Sequence, residues 1–134
     1  MSGYQHALLD TSVVIDFRPE LVKRHADFGS ISTITMAELA SGLQSKDPLA
    51  NAARQRRYQW ADAAFDLIPY SRDAAHAYGA LCALVRATGR NPRPRRFDLL
   101  IASVAMTSQL PLLTLNPADF SGLEKAVKVV DVSR

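Results

Sequence analysis

Short apolar runs alternate along this chain with longer stretches of helical character, and this alternation limits the folds open to it. Tyr4–Leu9 is predicted to be a first strand and residues 30–32 a second. Further strands are predicted at residues 67–68, 111–115 and 127–132. Because helices are predicted between these strands, the pattern indicates an α/β domain. Its sheet should be short, mostly parallel, built from four to five strands and flanked by helices on both faces.

The helices are predicted from capping residues and from apolar residues at three- and four-residue steps. Thr35 and Glu38 have the spacing of a capping box, which predicts a helix starting there. A long helix is predicted from Pro48 to about Asp66. The clearest amphipathic pattern covers residues 71–88 and ends at a glycine. Another helix is predicted behind a segment with two prolines and no apolar side chain, residues 90–96, which should form a loop.

Length and composition narrow the class of protein. A chain of 134 residues with 48% hydrophobic residues predicts one domain, residues 1–134, with a substantial core. The single cysteine, Cys82, excludes an internal disulfide. No signal peptide or membrane-spanning run is visible in the sequence. These features favour a protein of the reducing cytoplasm with no membrane association.

The basic residues are clustered, although the net charge is only +3. Five arginines fall within eleven residues: Arg86, Arg90, Arg93, Arg95 and Arg96. A smaller group is formed by Arg54, Arg56 and Arg57. Such clustering favours a polyanionic partner, but a solvated basic loop would have the same composition.

Four acids stand where predicted strands or loops meet helices. Asp10 ends the first strand, and Glu38 lies in the first turn of the helix after the second strand. Asp98 opens the helix behind the arginine-rich loop, and Asp119 opens a short helix after a late strand. If the strands are parallel, at least three of these acids project at one edge of the sheet. Ligands bind at that edge in folds of this kind.

Four carboxylates at one edge need a compensating charge. Two unit charges about 6 Å apart repel by ~3 kcal/mol at an effective dielectric of about 20. Either raised pKa values leave some acids protonated, or a divalent cation neutralises them. An all-oxygen ligand set suits Mg²⁺ or Mn²⁺. Zinc is disfavoured because His6, His25 and His76 show no ligand spacing and Cys82 lies in an apolar stripe.

Each acid also has a purely structural interpretation. Asp10 could cap the following helix, and Glu38 could complete the capping box. Asp98 and Asp119 could be first-turn acids favoured by the helix dipole. Asp98 fits this least well, because its helical neighbours three and four positions on are apolar. Asp16 is a fifth acid in the region, for which a solvated or structural role is favoured.

Short motifs along the whole chain resemble those of a known family. They are residues 8–12 (LLDTS), 34–42 (ITMAELASG), 98–105 (DLLIASVA), 114–120 (TLNPADF) and 129–132 (VVDV). In these motifs the chain resembles the PIN-domain family, and more closely the VapC ribonuclease toxins of type II toxin–antitoxin modules. The resemblance implies a single PIN domain with a metal-dependent nuclease site.

The resemblance also implies roles for individual residues. The catalytic, metal-binding core would be Asp10, Glu38, Asp98 and Asp119, holding Mg²⁺ or Mn²⁺ directly or through water. The carboxylates or the attacking water would be oriented by Thr11, Ser12 and Asn116. Many relatives have an arginine where this chain has Leu115. This difference puts a charged contact there in doubt but removes no metal ligand.

The implied function is a metal-dependent endoribonuclease that hydrolyses phosphodiester bonds in structured RNA, such as tRNA or rRNA, and so inhibits translation. RNA would be held by Arg90, Arg93, Arg95 and Arg96, with the group at 54–57 as a second contact surface. The resemblance further implies a homodimer and a VapB-type antitoxin. The C-terminal segment of that antitoxin would place a basic side chain among the carboxylates.

Three other classes of protein share part of this pattern. A haloacid-dehalogenase-type phosphatase needs a second acid two residues after the first, and Ser12 stands there. A receiver-type signalling domain needs adjacent acids near the first strand and a lysine after a late strand, and neither is present. A non-catalytic PIN-like module that binds RNA or a partner is the third. Loss of a core acid would favour it, yet all four acids are present.

Overall fold

Five parallel strands form one sheet in a computed structural model, which describes residues 3–134. The strands are β1 (Tyr4–Leu9), β2 (Ala26–Ser32), β3 (Asp66–Ile68), β4 (Leu112–Thr114) and β5 (Val129–Asp131). Their order across the sheet is β3-β2-β1-β4-β5, and all four neighbouring pairs are parallel. The predicted short parallel sheet is confirmed.

Helices occupy most of the chain between the strands. They are α1 (Thr11–Ile15), α2 (Pro19–Lys23), α3 (Thr33–Ser41), α4 (Pro48–Ala64), α5 (Arg72–Ala87) and α6 (Arg96–Ser108). Short 3₁₀ turns cover Gly42–Gln44, Arg93–Arg95 and Pro117–Phe120. Within residues 3–134, none of the helices has the length and apolar character needed to cross a membrane.

The alternation of side chains along β1 creates two hydrophobic cores. Leu8 points to one face, where it packs in a cluster with residues of α5 and α6. Ala7 and Leu9 point to the other face, where α1, α3 and α4 contribute to a second cluster. β4 divides in the same way, with Leu112 in the first cluster and Leu113 in the second. Helices therefore cover both faces, as predicted.

The strand order places a crevice next to the central strand. The chain passes from β1 to β2 and β3 on one side, and then returns to β4 and β5 on the other. Between β1 and β4 the direction of winding reverses, and ligands of open α/β sheets bind outside the carboxyl ends of strands at such a point. Asp10 directly follows β1 there.

Three local predictions are corrected by the structure. The capping box at Thr35 is wrong: α3 starts earlier, and the hydroxyl of Ser32 accepts the N-cap hydrogen bond from the Thr35 backbone at 3.2 Å. β2 is longer than residues 30–32, and α2 was not predicted. The arginine-rich segment is not all loop, because Arg93–Arg95 is a 3₁₀ turn and Arg96 already begins α6.

Candidate active site

Asp10 is held at the end of β1 by two hydroxyl groups. The residue is 4% exposed, and its Oδ2 accepts hydrogen bonds from Ser12 Oγ at 2.8 Å and Thr114 Oγ1 at 2.9 Å. Although Asp10 occupies the N-cap position of α1, its side chain makes no capping hydrogen bond. The structural interpretation of Asp10 as a helix cap is therefore not supported, and its carboxylate is fixed across the junction of β1 and β4.

Ser12 and Thr114 are themselves tied to the backbone after β4. Ser12 Oγ accepts a hydrogen bond from the Leu115 backbone at 3.2 Å, and Thr114 Oγ1 accepts one from the Asn116 backbone at 2.9 Å. Each hydroxyl thus donates to Asp10 and accepts from the segment that leads to Asp119. The sequence predicted an orienting role for Ser12 but missed Thr114, which is fully buried.

Glu38 joins the site through a second set of hydroxyl groups. Thr11 Oγ1 donates to Glu38 Oε1 at 2.7 Å and lies 3.0 Å from Thr35 Oγ1. Since the Thr11 proton points to Glu38, Thr35 is the donor in the second contact. The pKa of Glu38 is raised, mainly by burial; the hydrogen bond from Thr11 opposes this shift, and the charge of Asp10 adds to it.

The pKa of Asp98 shows the influence of the other three carboxylates. Its pKa is raised from 3.8 to about 7, first by burial and then by the charges of Asp10, Asp119 and Glu38, in that order. Only the nearby Arg95 guanidinium acts in the opposite direction. The four predicted acids therefore share one electrostatic environment at the carboxyl edge of the sheet.

Asp119 lies half-buried in the 3₁₀ turn Pro117–Phe120, which buried Phe120 anchors. Arg95 Nη1 donates to the backbone oxygen of Ala118 in this turn at 2.9 Å, so it links the start of α6 to the turn. The side chain of Asn116 is exposed and makes no capping hydrogen bond, which leaves it available at the rim of the site.

The donor set fits a hard divalent cation. The four carboxylates offer only oxygen, and their mutual repulsion is what such a cation relieves. Within residues 3–134, no group of three or more histidine, cysteine, aspartate or glutamate side chains is placed so that it could hold a metal ion by itself. Mg²⁺ does not require such a group, because that ion usually keeps several waters and takes only one or two carboxylates directly.

The remaining candidate residues lie around this centre. Asp16 stands apart from the four acids: it is exposed and forms an ion pair with Arg18 at 2.7 Å, which lowers the pKa of Asp16. Arg54 and Arg57 line a cavity of about 300 Å³ together with Glu38, and Arg54 donates to the backbone of Gly42.

The arginine side chains of residues 90–96 point in different directions. Arg95 faces the carboxylates, while Arg93 and Arg96 line a separate cavity and Arg90 is exposed. The sequence identified the segment but could not assign these directions, because they depend on the 3₁₀ turn that precedes α6.

Comparison with known proteins identifies the fold. The PIN-domain model matches residues 7–125, and the chain belongs to the PIN-domain family. Among solved structures it is similar to the VapBC-5 toxin–antitoxin structure from Mycobacterium tuberculosis. The identity is 31%, the TM-score is 0.78, and the match covers 94% of this chain and 96% of the other. This chain is therefore a PIN domain that is similar to a member of the VapBC family of toxin–antitoxin systems.

Two further structures are similar over nearly the whole chain. A toxin–antitoxin complex from Klebsiella pneumoniae is 26% identical with a TM-score of 0.67, and the match covers 94% of this chain and 97% of the other. FitAcB from Neisseria gonorrhoeae is 20% identical with a TM-score of 0.76 over 96% and 99%, which shows the shared fold alone. No curated protein matched the sequence.

Proposed function

We propose that this protein is a metal-dependent endoribonuclease and the toxin of a type II toxin–antitoxin pair. The observation that carries the proposal is the raised pKa of Asp98, about 7, which burial and the charges of three other carboxylates produce together. Such a concentration of acid charge is destabilising in the free protein and is typical of a site that binds a cation and does chemistry.

Asp10, Glu38 and Asp98 would hold Mg²⁺ or Mn²⁺, with Asp119 as the fourth acid, directly or through water. When bound, the ion supplies Lewis-acid stabilisation of a phosphodiester and lowers the pKa of a water molecule. Ser12 and Thr114 keep Asp10 in one orientation, and Thr11 does the same for Glu38. The hydrogen bond from Thr11 also lowers the pKa of Glu38 and so favours the ionised form, which is the form that binds a cation.

The substrate would be RNA, and the arginine-rich segment would hold its backbone. Arg90, Arg93 and Arg96 offer exposed guanidinium groups on the segment that leads to Asp98, while the contact of Arg95 with the Ala118 backbone supports the turn of Asp119. The group Arg54, Arg56 and Arg57 would form a second contact surface. Because an acidic site repels a polyanion, these cations have to supply the attraction.

The partners would be a second copy of the chain and a VapB-type antitoxin. The support for an antitoxin is the similarity to toxin–antitoxin structures from Mycobacterium tuberculosis and Klebsiella pneumoniae. A basic antitoxin side chain among the carboxylates would relieve the same repulsion as a metal ion. Co-expression with a neighbouring gene product of antitoxin type should give a stable complex. A partner that fails to bind would contradict this part of the proposal.

The catalytic part is tested by incubating total cellular RNA with purified protein in Mg²⁺, Mn²⁺ or EDTA. We expect discrete fragments only with metal, and none with Asp98→Asn, which is isosteric but cannot ionise. Asp62→Asn is the matched control, because Asp62 is an exposed acid on α4. Equal behaviour of the protein and Asp98→Asn under every condition would favour the alternative, a non-catalytic PIN-like module that binds RNA or a partner.

A further inference from the structure

A cavity of about 530 Å³ lies between α5 and the arginine-rich segment, apart from the four carboxylates. From α5 it is lined by Tyr78, Gly79 and Arg86, and from the segment by Arg93 and Arg96. No carboxylate of the described residues contributes to its lining. The cavity therefore combines three guanidinium groups, an aromatic side chain and an open helix surface at one place.

The three guanidinium groups lack an internal counter-charge. Within residues 3–134, none of Arg86, Arg93 and Arg96 forms an ion pair. Arg96 is held in place, since it donates to the backbone of Arg93 at 3.1 Å and lies 5.2 Å from the centre of the Phe97 ring. Like charges around one concave surface repel each other, and an anion bound between them removes that repulsion. The cavity is thus suited to an anionic group.

The size and walls of the cavity indicate what carries this anion. Its volume is within the range of sites for small organic ligands and is larger than a phosphate group needs. Tyr78 provides an aromatic surface on which a base can stack. An additional Cβ at Gly79 would meet nothing within 4 Å, so the helix surface is open to a ligand there. An acidic peptide side chain would engage the arginines but leave the aromatic wall unused.

We propose that this cavity binds one nucleotide of single-stranded RNA, with its phosphate on the arginines and its base beside Tyr78. The inference rests on the proposed function, because it supplies the ribonuclease with a substrate contact away from the cleaved bond. Arg93 and Arg96 lie on the segment that leads directly to Asp98. An RNA strand bound in the cavity can therefore continue along this segment to the carboxylates.

The first test fills the cavity without changing its charge. Binding of a short fluorescein-labelled single-stranded RNA is measured by anisotropy in Mg²⁺, with Asp98→Asn as the background so that the RNA stays intact. Adding Gly79→Leu should weaken binding about tenfold, because the larger side chain occupies the nucleotide position. Gly79→Ala is the control and should bind as before. Circular dichroism checks that α5 remains folded in both variants.

The second test removes charge at constant shape. In the same background, Arg86→Gln and Arg93→Gln should each weaken RNA binding and reduce the slope of log affinity against log salt by about 0.7. Arg72→Gln is the control, because Arg72 is exposed at the other end of α5 and does not line the cavity. If all three substitutions have the same effect, only the overall charge matters and the proposal is wrong.

Two other outcomes also decide the matter. Unchanged RNA binding by Gly79→Leu would show that the cavity is empty in the complex. If Gly79→Leu instead weakens binding of the purified antitoxin while RNA binding is retained, the cavity is a protein contact. The two proposals fail separately: RNA that binds through the cavity but is never cut contradicts the nuclease function. RNA cleavage with cavity-independent binding contradicts only the present inference.

Discussion

Two of the four site carboxylates, Asp10 and Glu38, accept hydrogen bonds from hydroxyl groups, and these bonds determine how the two acids can bind a cation. Asp10 has two donors on one oxygen, Ser12 and Thr114, so its other oxygen remains free for a ligand. Glu38 has one donor, Thr11, which opposes the effect of burial on its pKa. Charged acceptors gain more from such hydrogen bonds than neutral ones do. The hydroxyls therefore orient both acids, and Thr11 also favours the ionised form of Glu38.

Replacing Thr114 by valine should affect both stability and metal binding. Thr114→Val keeps the shape but removes a donor to Asp10 and leaves the Asn116 backbone without its acceptor. We expect a loss of about 1–3 kcal/mol in the free energy of unfolding, measured with urea. The Mg²⁺ concentration for half-maximal cleavage should rise about 10–100-fold. Thr114→Ser retains the hydroxyl and should restore both; equal losses in the two variants would show that the methyl group matters instead.

Removing the hydroxyl of Thr11 should change the pH dependence of cleavage. Thr11→Val eliminates the hydrogen bond that lowers the pKa of Glu38, so burial and the charge of Asp10 raise that pKa further. Because a cation binds the ionised carboxylate, the acidic limb of the rate–pH profile should move to higher pH. Thr11→Ser should leave the limb in place. An unchanged limb in Thr11→Val would mean that Glu38 ionisation does not control activity.

At the scale of elements, α3 carries Glu38 and depends on a buried cap. Ser32→Ala removes the acceptor for the Thr35 backbone and should cost about 1 kcal/mol of unfolding free energy. Ser71→Ala removes the equivalent cap of α5, where Ser71 accepts from the Ala74 backbone at 3.0 Å. Both variants should lose similar stability by urea unfolding. Only Ser32→Ala should also need more Mg²⁺ for cleavage, because α3 holds Thr35 and Glu38 at the site.

The first residue of α3 could not be predicted from the sequence alone. Residues 32–35 and 35–38 both have a hydroxyl residue three positions before a polar one, so local pattern cannot choose between them. The choice is made by the sheet: Ser32 still pairs with Ile68 of β3, and the helix can begin only after that contact. Glu38 then lies too far along α3 to cap it, and its side chain is free to meet Thr11.

Two further elements, α2 and the 3₁₀ turn before α6, have sequence signals that are too weak or too ambiguous to predict them. α2 has Pro19 at its first position and Glu20 in its first turn, but it spans only five residues, too few for a periodic pattern. The prolines before α6 suggested a loop, although proline is tolerated in a first helical turn and a 3₁₀ turn forms over Arg93–Arg95.

At the scale of the whole molecule, the site follows from topology more than from any single motif. Parallel strands bring their carboxyl ends to one edge, so the acids after β1, β2 and β4 were predictable as neighbours from sequence order alone. Contacts that cross between segments were not predictable. The hydrogen bond from Thr114 to Asp10 and the one from Arg95 to the Ala118 backbone both depend on how β4 and α6 are placed. That placement cannot be predicted from the composition of a single chain.

The carboxylates of the site should make the free energy of unfolding of the metal-free protein fall as pH rises. Asp98 has a pKa of about 7 in the folded protein against an ordinary 3.8, so the folded state retains a proton that the unfolded state releases. The stabilisation from that proton is complete below about pH 4 and is lost as pH approaches 7. Glu38, whose pKa is also raised, acts in the same direction.

Calorimetry in EDTA should therefore show that the midpoint of thermal unfolding falls between pH 5 and about pH 8. In Asp98→Asn the midpoint should depend less on pH. This window lies above the range in which the lowered pKa values of Asp16 and Asp131 act. Mg²⁺ binds the ionised folded form, so it should raise the midpoint more at pH 8 than at pH 6. At about 100 times its dissociation constant, the ion adds about 2.7 kcal/mol. If Mg²⁺ stabilises the protein and Asp98→Asn equally, the carboxylates do not form its binding site.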